Sequence, residues 1–191
     1  MQARQRMRRG GVGLAAAMAA LGLSLGGCYQ HTDAPASVSA GTQLDDAVIT
    51  AKVKTAIATD SEAKGVATSV ETRKGNVMLS GFVDSQAQAD RAVQLAKAVE
   101  GVNGVDSKLM VKEGKSSAGN FLDDSVLTTR VKSALLADPD VRGNDIAVSS
   151  NKGVVQLSGY VDDTRQQARA EAVAHGVDGV QSVVNDTSIK K

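Results

Sequence analysis

The amino-acid sequence predicts an α+β protein made of two tandem copies of one small domain, each running helix, strand, strand, helix, strand. Three observations predict it. Displaced by 78 places, the chain aligns with itself without a gap: LDDAVITAKVKTAI at 44–57 falls on LDDSVLTTRVKSAL at 122–135, and KGNVMLSGFVD at 74–84 falls on KGVVQLSGYVD at 152–162. About 28 of roughly 69 positions are identical, and a period this long exceeds any solenoid unit, so each copy is a domain. Within each copy the hydrophobic spacing switches from helical to alternating and back, with glycine at the junctions.

The elements follow in order. Ile49, Val53, Ala56 and Ile57, matched by Leu127, Val131, Ala134 and Leu135, fall on one face of a first helix. Asp45-Asp46 and Asp123-Asp124 stand at its expected start, where the helix dipole favours acid, and capping is their expected role. Strands are expected around 66–72 and 144–150. Gly75 and Gly153 supply the glycine that a tight hairpin needs. The next strands alternate Val77, Leu79, Gly81, Val83 and Val155, Leu157, Gly159, Val161. A glycine within a strand marks a bulge or a close approach of backbone or helix, and at Gly81 and Gly159 the close-approach reading fits the small-residue stripe of the second helix. That helix opens on Ser85 with Gln88, and on Asp163 with Gln166, at capping-box spacing, with Asp84 and Asp162 expected to cap the same entry. Its stripe is Ala92, Leu95, Ala96 and Val99, or Ala170, Val173, Ala174 and Val177, small enough to lie close on a sheet. Gly101 and Gly179 are expected to end it. A last strand carries Val105, Leu109 and Val111, or Val183, Thr187 and Ile189. Returning by a right-handed crossover, it completes a mixed three-stranded sheet with both helices on one face.

Ahead of the repeats, Arg4, Arg6, Arg8 and Arg9 precede an apolar run at 12–25, too short to span a bilayer but suited to a secretion signal. The run ends Leu25-Gly26-Gly27-Cys28, which resembles a bacterial lipobox. The resemblance implies cleavage before Cys28, acylation of its thiol, and, with Tyr29 next, sorting to the outer membrane. The expected organisation is a lipoprotein signal at 1–27, a flexible tether at 28–43, domains at 44–113 and 122–191, and a linker at 114–121.

Composition excludes several function classes. With the four signal arginines removed, 18 basic side chains face 21 acidic ones, and neither repeat is a basic module. The only aromatic residues are Tyr29, Phe82, Phe121 and Tyr160. A nucleic-acid footprint needs a basic patch with stacking aromatics, so nucleic acid is not an expected partner. The two histidines are His31, in the tether, and His175, whose counterpart is Lys97. With Cys28 acylated, neither a nucleophile–base–orienter set nor a zinc ligand set remains, and no enzyme activity, metal or cofactor is expected. Neighbouring carboxylates on a helix point about 100° apart, so Asp45-Asp46 and Asp123-Asp124 do not converge on one ion. Lys52, Lys54, Arg130 and Lys132 lie off the apolar helix faces and are the candidate contacts for anionic lipid head groups.

The pattern LDD-x-hydrophobic-T…VK-x-A, then KG-x-V-x-LSG-aromatic-VD, then V-[ED]-GV resembles the BON domain, named for bacterial osmotic-stress and nodulation proteins. Two copies behind a secretion signal resemble the osmotically inducible periplasmic members of that family, from which the lipobox is a departure. The resemblance implies a non-enzymatic envelope protein that acts by binding, either to phospholipid or to envelope proteins, in osmotic or envelope stress. A chaperone-like role is implied in the same way. The alternative is a structural adaptor docking a larger outer-membrane complex.

Overall fold

A computed structural model describes residues 40–63, 67–112 and 118–191, and Ser37–Lys191 forms one compact unit. The signal segment, Cys28 and His31 lie outside the described residues. The first repeat comprises helix α1 (Ala40–Thr59), strands β1 (Ala67–Arg73) and β2 (Asn76–Val83), helix α2 (Gln86–Lys97) and strand β3 (Gly104–Val111). The second repeats the order with α3 (Ala118–Ala137), β4 (Ile146–Asn151), β5 (Val154–Val161), α4 (Thr164–His175) and β6 (Ser182–Ile189), and a turn of 3-10 helix is described at Gly143–Asp145. Each sheet is mixed: β1 runs antiparallel to β2 and β3 parallel to it, as β4 and β6 do to β5.

Each repeat has its own core. In the first, Ile49, Val53 and Ile57 of α1 and Ala92 and Ala96 of α2 pack on Val70, Val77 and Leu79. In the second, Leu127, Val131, Leu135, Ala170 and Ala174 pack on Val155, Leu157 and Val161. Alanine at the sheet-facing positions of α2 and α4 compensates for the scarcity of aromatic bulk by closeness of approach. Both helices of a repeat therefore share one sheet face.

The other sheet face meets the other repeat. Every residue from Val77 to Val83 is buried, Met78, Ser80 and Phe82 included, although they point away from the helices. Ser80 Oγ lies 2.6 Å from Ser158 Oγ, its own counterpart in the repeat, the mark of a local twofold relation. Gln156 is the counterpart of Met78 and sits where the first sheet would otherwise close its own ladder. Its Oε1 accepts the Gly81 N–H at 2.8 Å, and its Nε2 donates to Lys108 O at 2.6 Å and to Asp186 Oδ2 at 2.7 Å. A carboxamide presents one acceptor beside two donors, so Gln156 satisfies a buried donor and two acceptors in one stroke. Tyr160 Oη donates to Asn76 O at 3.4 Å.

Three expectations are corrected. The first helices begin at Ala40 and Ala118, more than a turn ahead of the acidic pairs, because residues assigned to the tether and linker join them. Asp46 and Asp124 therefore cap no helix. The close approach at Gly159 comes from the Asp145 carbonyl, which a Cβ would strike, and not from the second helix. Helices α2 and α4 stop at Lys97 and His175, ahead of Gly101 and Gly179, whose positive φ of 93° and 99° lies in the loop beyond.

Candidate functional site

Each repeat carries the same groove, built where the first helix, the hairpin turn and the exit loop of the second helix converge. The hairpin has φ of 50° at Lys74 and 75° at Gly75, and 50° and 78° at Lys152 and Gly153, the sign pattern of a type I′ turn. Such a turn leaves two backbone N–H groups unpaired, and an aspartate of the first helix takes them. Asp46 Oδ2 and Oδ1 accept the N–H groups of Lys74 and Gly75 at 2.7 and 2.8 Å. Asp124 does the same for Lys152 and Gly153 at 2.9 and 3.3 Å. A Cβ at Gly75 would run into the Asn103 side chain, so the exit loop closes over the turn only because the position is glycine.

The first groove, about 550 Å³, is bordered by Asp45, Val48, Lys52, Glu100 and Gly101. Its counterpart, about 600 Å³, is bordered by Asp123, Val126, Arg130, Asp178 and Gly179. Lys52 reaches across to Glu100 at 3.9 Å. The linings mix both charge signs around one exposed valine and offer no nucleophile beside a base. His175 is exposed at the end of α4. Among the described residues, no group of three His, Cys, Asp or Glu side chains is placed to hold a metal ion.

Of the four candidate lipid-facing cations, Lys52, Lys54 and Arg130 are exposed on α1 and α3. Lys132 is not available. Its Nζ donates to Gly143 O at 2.6 Å and Ile146 O at 2.5 Å, and burial holds its pKa below the ordinary lysine value. On α3 Val126, about half exposed, stands one turn before Arg130, and Leu136, also about half exposed, lies farther along and about 120° round the helix. On α1 Val48 is equally exposed, but Ala58 stands where Leu136 does. Among the described residues, no helix is long and apolar enough to cross a membrane.

The helix entries match the sequence. Ser85 Oγ and Asp163 Oδ1 accept the N–H groups of Gln88 and Gln166, whose own side chains reach back to the N–H groups of Asp84 and Asp162. The Asp84 and Asp162 carboxylates do something else, pairing with Lys112 and Lys190 at 2.9 Å. The sequence reading missed a further duplicated pair, Arg91 to Asp60 at 2.6 Å and Arg169 to Asp138 at 2.8 Å, which ties the end of each first helix to the second. Both members survive at the 78-residue spacing, a signal the sequence did contain.

The sequence profile described as "BON domain" matches residues 45–113 and 123–191. The chain is 47% identical over 151 residues to "Osmotically-inducible protein Y" of Escherichia coli (strain K12), covering 78% of this chain and 75% of that protein. It is 37% identical over 145 residues to "Outer membrane lipoprotein DolP" of Haemophilus influenzae, covering 75% and 74%. It is 34% identical over 155 residues to "21 kDa hemolysin" of Actinobacillus pleuropneumoniae, covering 81% and 79%.

Proposed function

The chain belongs to the BON domain family, and from that premise we propose that it is a non-enzymatic cell-envelope lipoprotein, held at the outer membrane by acylated Cys28. Its work is contact: with anionic phospholipid, and with envelope proteins under osmotic or envelope stress. Similarity to an osmotically inducible protein and to an outer-membrane lipoprotein supports the compartment. The Leu25-Gly26-Gly27-Cys28 motif supports the anchor. The observation that carries the lipid reading is the exposed surface of α3, where Val126 stands one turn before Arg130 and Leu136 is exposed farther along the helix. A basic residue near an anionic surface contributes about 1 kcal/mol, and the two apolar side chains add area to bury in the interface. A chaperone-like role toward unfolded envelope proteins belongs to the same contact-based reading.

Palmitate labelling in cells tests the anchor: the native chain takes up label and Cys28→Ala does not. Flotation of the Ser37–Lys191 unit with phosphatidylglycerol vesicles at low salt tests the lipid contact. Binding is expected, weakened by Arg130→Glu and Leu136→Ser and unchanged by Lys54→Glu. Absence of binding by the parent unit discards the lipid contact and leaves protein contact alone.

A further inference from the structure

The outer edges of β3 and β6 occupy equivalent places in the two repeats and are finished differently. Lys112 N–H bonds to Val83 O at 2.8 Å just past the end of the β2–β3 ladder, and Lys190 N–H bonds to Val161 O in the same way. In a parallel ladder alternate residues face opposite sides. The backbone groups of even-numbered residues therefore point at the central strand, and those of Val105, Ser107, Leu109 and Val111 point at the free edge, as do those of Val183, Asn185, Thr187 and Ile189. In the second repeat side chains close that edge. Gln167 Nε2 donates to Thr187 O at 2.7 Å, Asn185 Oδ1 accepts the Thr187 N–H at 3.3 Å, and Asn185 Nδ2 donates to Gln167 O and Glu171 Oε2. In the first repeat the counterparts of Gln167, Thr187 and Glu171 are Ala89, Leu109 and Val93, which have no such groups to offer. Among the described residues, no side chain bonds to the outward backbone groups of β3.

An open edge of alternating donors and acceptors is a template for another strand, and the charge order along β3 selects which strand. The sequence GVDSKLMV is self-complementary about Ser107. Set antiparallel to itself with Ser107 opposite Ser107, Asp106 of each copy faces Lys108 of the other, and Val105 faces Leu109. The outward-facing residues are also the ones such a pairing bonds, because Val105, Ser107 and Leu109 all fall in hydrogen-bonded pairs. Opposite charges directly across an antiparallel pair stabilise it, and like charges destabilise it. Asp106 and Lys108 lie 3.6 Å apart within one chain, both partly exposed, so exchanging partners strands neither charge. The equivalent segment of β6, with Val184 and Asp186 about Asn185, has no such complementarity.

We infer that β3 is a homotypic interface: two copies of this chain join edge to edge through antiparallel β3 strands centred on Ser107, making one continuous six-stranded sheet from their first repeats. The dimer is isologous, as a twofold contact must be, and it is independent of the lipid contact on α3. The Ser37–Lys191 unit lacks cysteine, so Ser107→Cys supplies its only thiol. Mild oxidation is expected to give a disulfide-linked dimer of the Ser107→Cys unit. Sedimentation of the cysteine-free unit is expected to show a dimer weakened at least about tenfold by Asp106→Lys or by Lys108→Asp, since each sets like charges opposite each other twice. The double reversal restores it. Circular dichroism establishes that each variant is folded. A parent unit that sediments as a monomer at all concentrations overturns the inference. So does a dimer indifferent to the single reversals, or a Ser107→Cys adduct formed in cells with a different protein in place of a second copy.

Discussion

The two repeats share one fold and differ where they meet. Everything that builds a single domain is present twice: the aspartate seated under the hairpin turn, the Ser/Asp–Gln caps, the Asp60–Arg91 and Asp138–Arg169 pairs, and the alanines that let the second helix lie on the sheet. Several of the differences that matter lie on the outer sheet faces and edges. Met78 stands against Gln156, Glu71 against Ser149, and the open edge of β3 against the closed edge of β6. Duplicating a domain creates two identical sheet faces, and identical faces pair with any copy of themselves. One polar residue on one side turns that indifferent pairing into a specific one. Gln156 does this by finding a donor and an acceptor, Gly81 N–H and Lys108 O, in the opposite repeat.

Breaking that asymmetry should have the largest effect. Gln156→Ala leaves a cavity at the centre of the interface and unpairs the Asp186 carboxylate, a loss of about 2–4 kcal/mol. Gln156→Met makes the second repeat match the first. It fills the space and lets Gly81 N–H and Lys108 O bond directly, so the expected loss is smaller, about 1–2 kcal/mol. Denaturant unfolding of the Ser37–Lys191 unit measures both. Equal losses would mean that the hydrogen bonds of the carboxamide carry the whole effect and its volume none.

How far the sequence revealed this comparison depends on which interactions were local. The hairpins, the capping boxes and the small-residue stripes join residues a few places apart, and their spacing makes them legible. Asp46 and its turn are 28 residues apart, and an acidic residue near an expected helix start looks like a cap whatever it bonds. The clue was the joint recurrence of Asp46 with Lys74-Gly75 and of Asp124 with Lys152-Gly153. The interface left a clearer trace. Met78 and Phe82 break the alternation of β2 with large apolar side chains on the face away from the helices, and a strand apolar on both faces is buried on both. Lys132 left none, since an exposed and a carbonyl-bound lysine occupy the same helical position in any sequence pattern.

The turn aspartates offer a second, smaller contrast. Asp46 is buried, with both turn N–H groups within 2.8 Å, whereas Asp124 is half-buried and holds Gly153 N–H at 3.3 Å. Charge-assisted hydrogen bonds that are shorter and drier are worth more. Asp46→Ala should therefore cost about 2–3 kcal/mol and Asp124→Ala about 1 kcal/mol. Asp46→Asn, which keeps an acceptor oxygen, should recover part of the loss. Hydrogen exchange at Gly75 and Gly153 gives the local readout: exchange should accelerate at the turn whose aspartate is removed and at no other. If the two alanine variants lose equal stability, the difference in distance has no energetic meaning.

Glu71 gives the smallest and most conditional effect. It stands on the interface side of β1, where its counterpart Ser149 carries no charge, and burial is the main reason its pKa is raised, with Asp145 adding to it. Lys54 and Lys132 oppose that shift without cancelling it. A carboxyl whose pKa is higher in the folded chain than in the unfolded one binds its proton more tightly when folded. Its contribution to stability is therefore complete below the unfolded value, about 4.3 for glutamate, and is lost as pH rises through the folded value. Asp138 and Asp162 act in the opposite sense, because Arg169 and Lys190 lower their pKa values. A pH profile of the parent alone mixes the two. The difference between parent and Glu71→Gln isolates the first: the midpoints should coincide near pH 4, and the variant should be the more stable at pH 7–8. Glu71→Ser, which copies the second repeat, should shift the profile in the same direction. A variant less stable than the parent at neutral pH would mean that Lys54 and Lys132 outweigh the cost of burial, and that the charge at this interface holds the repeats together.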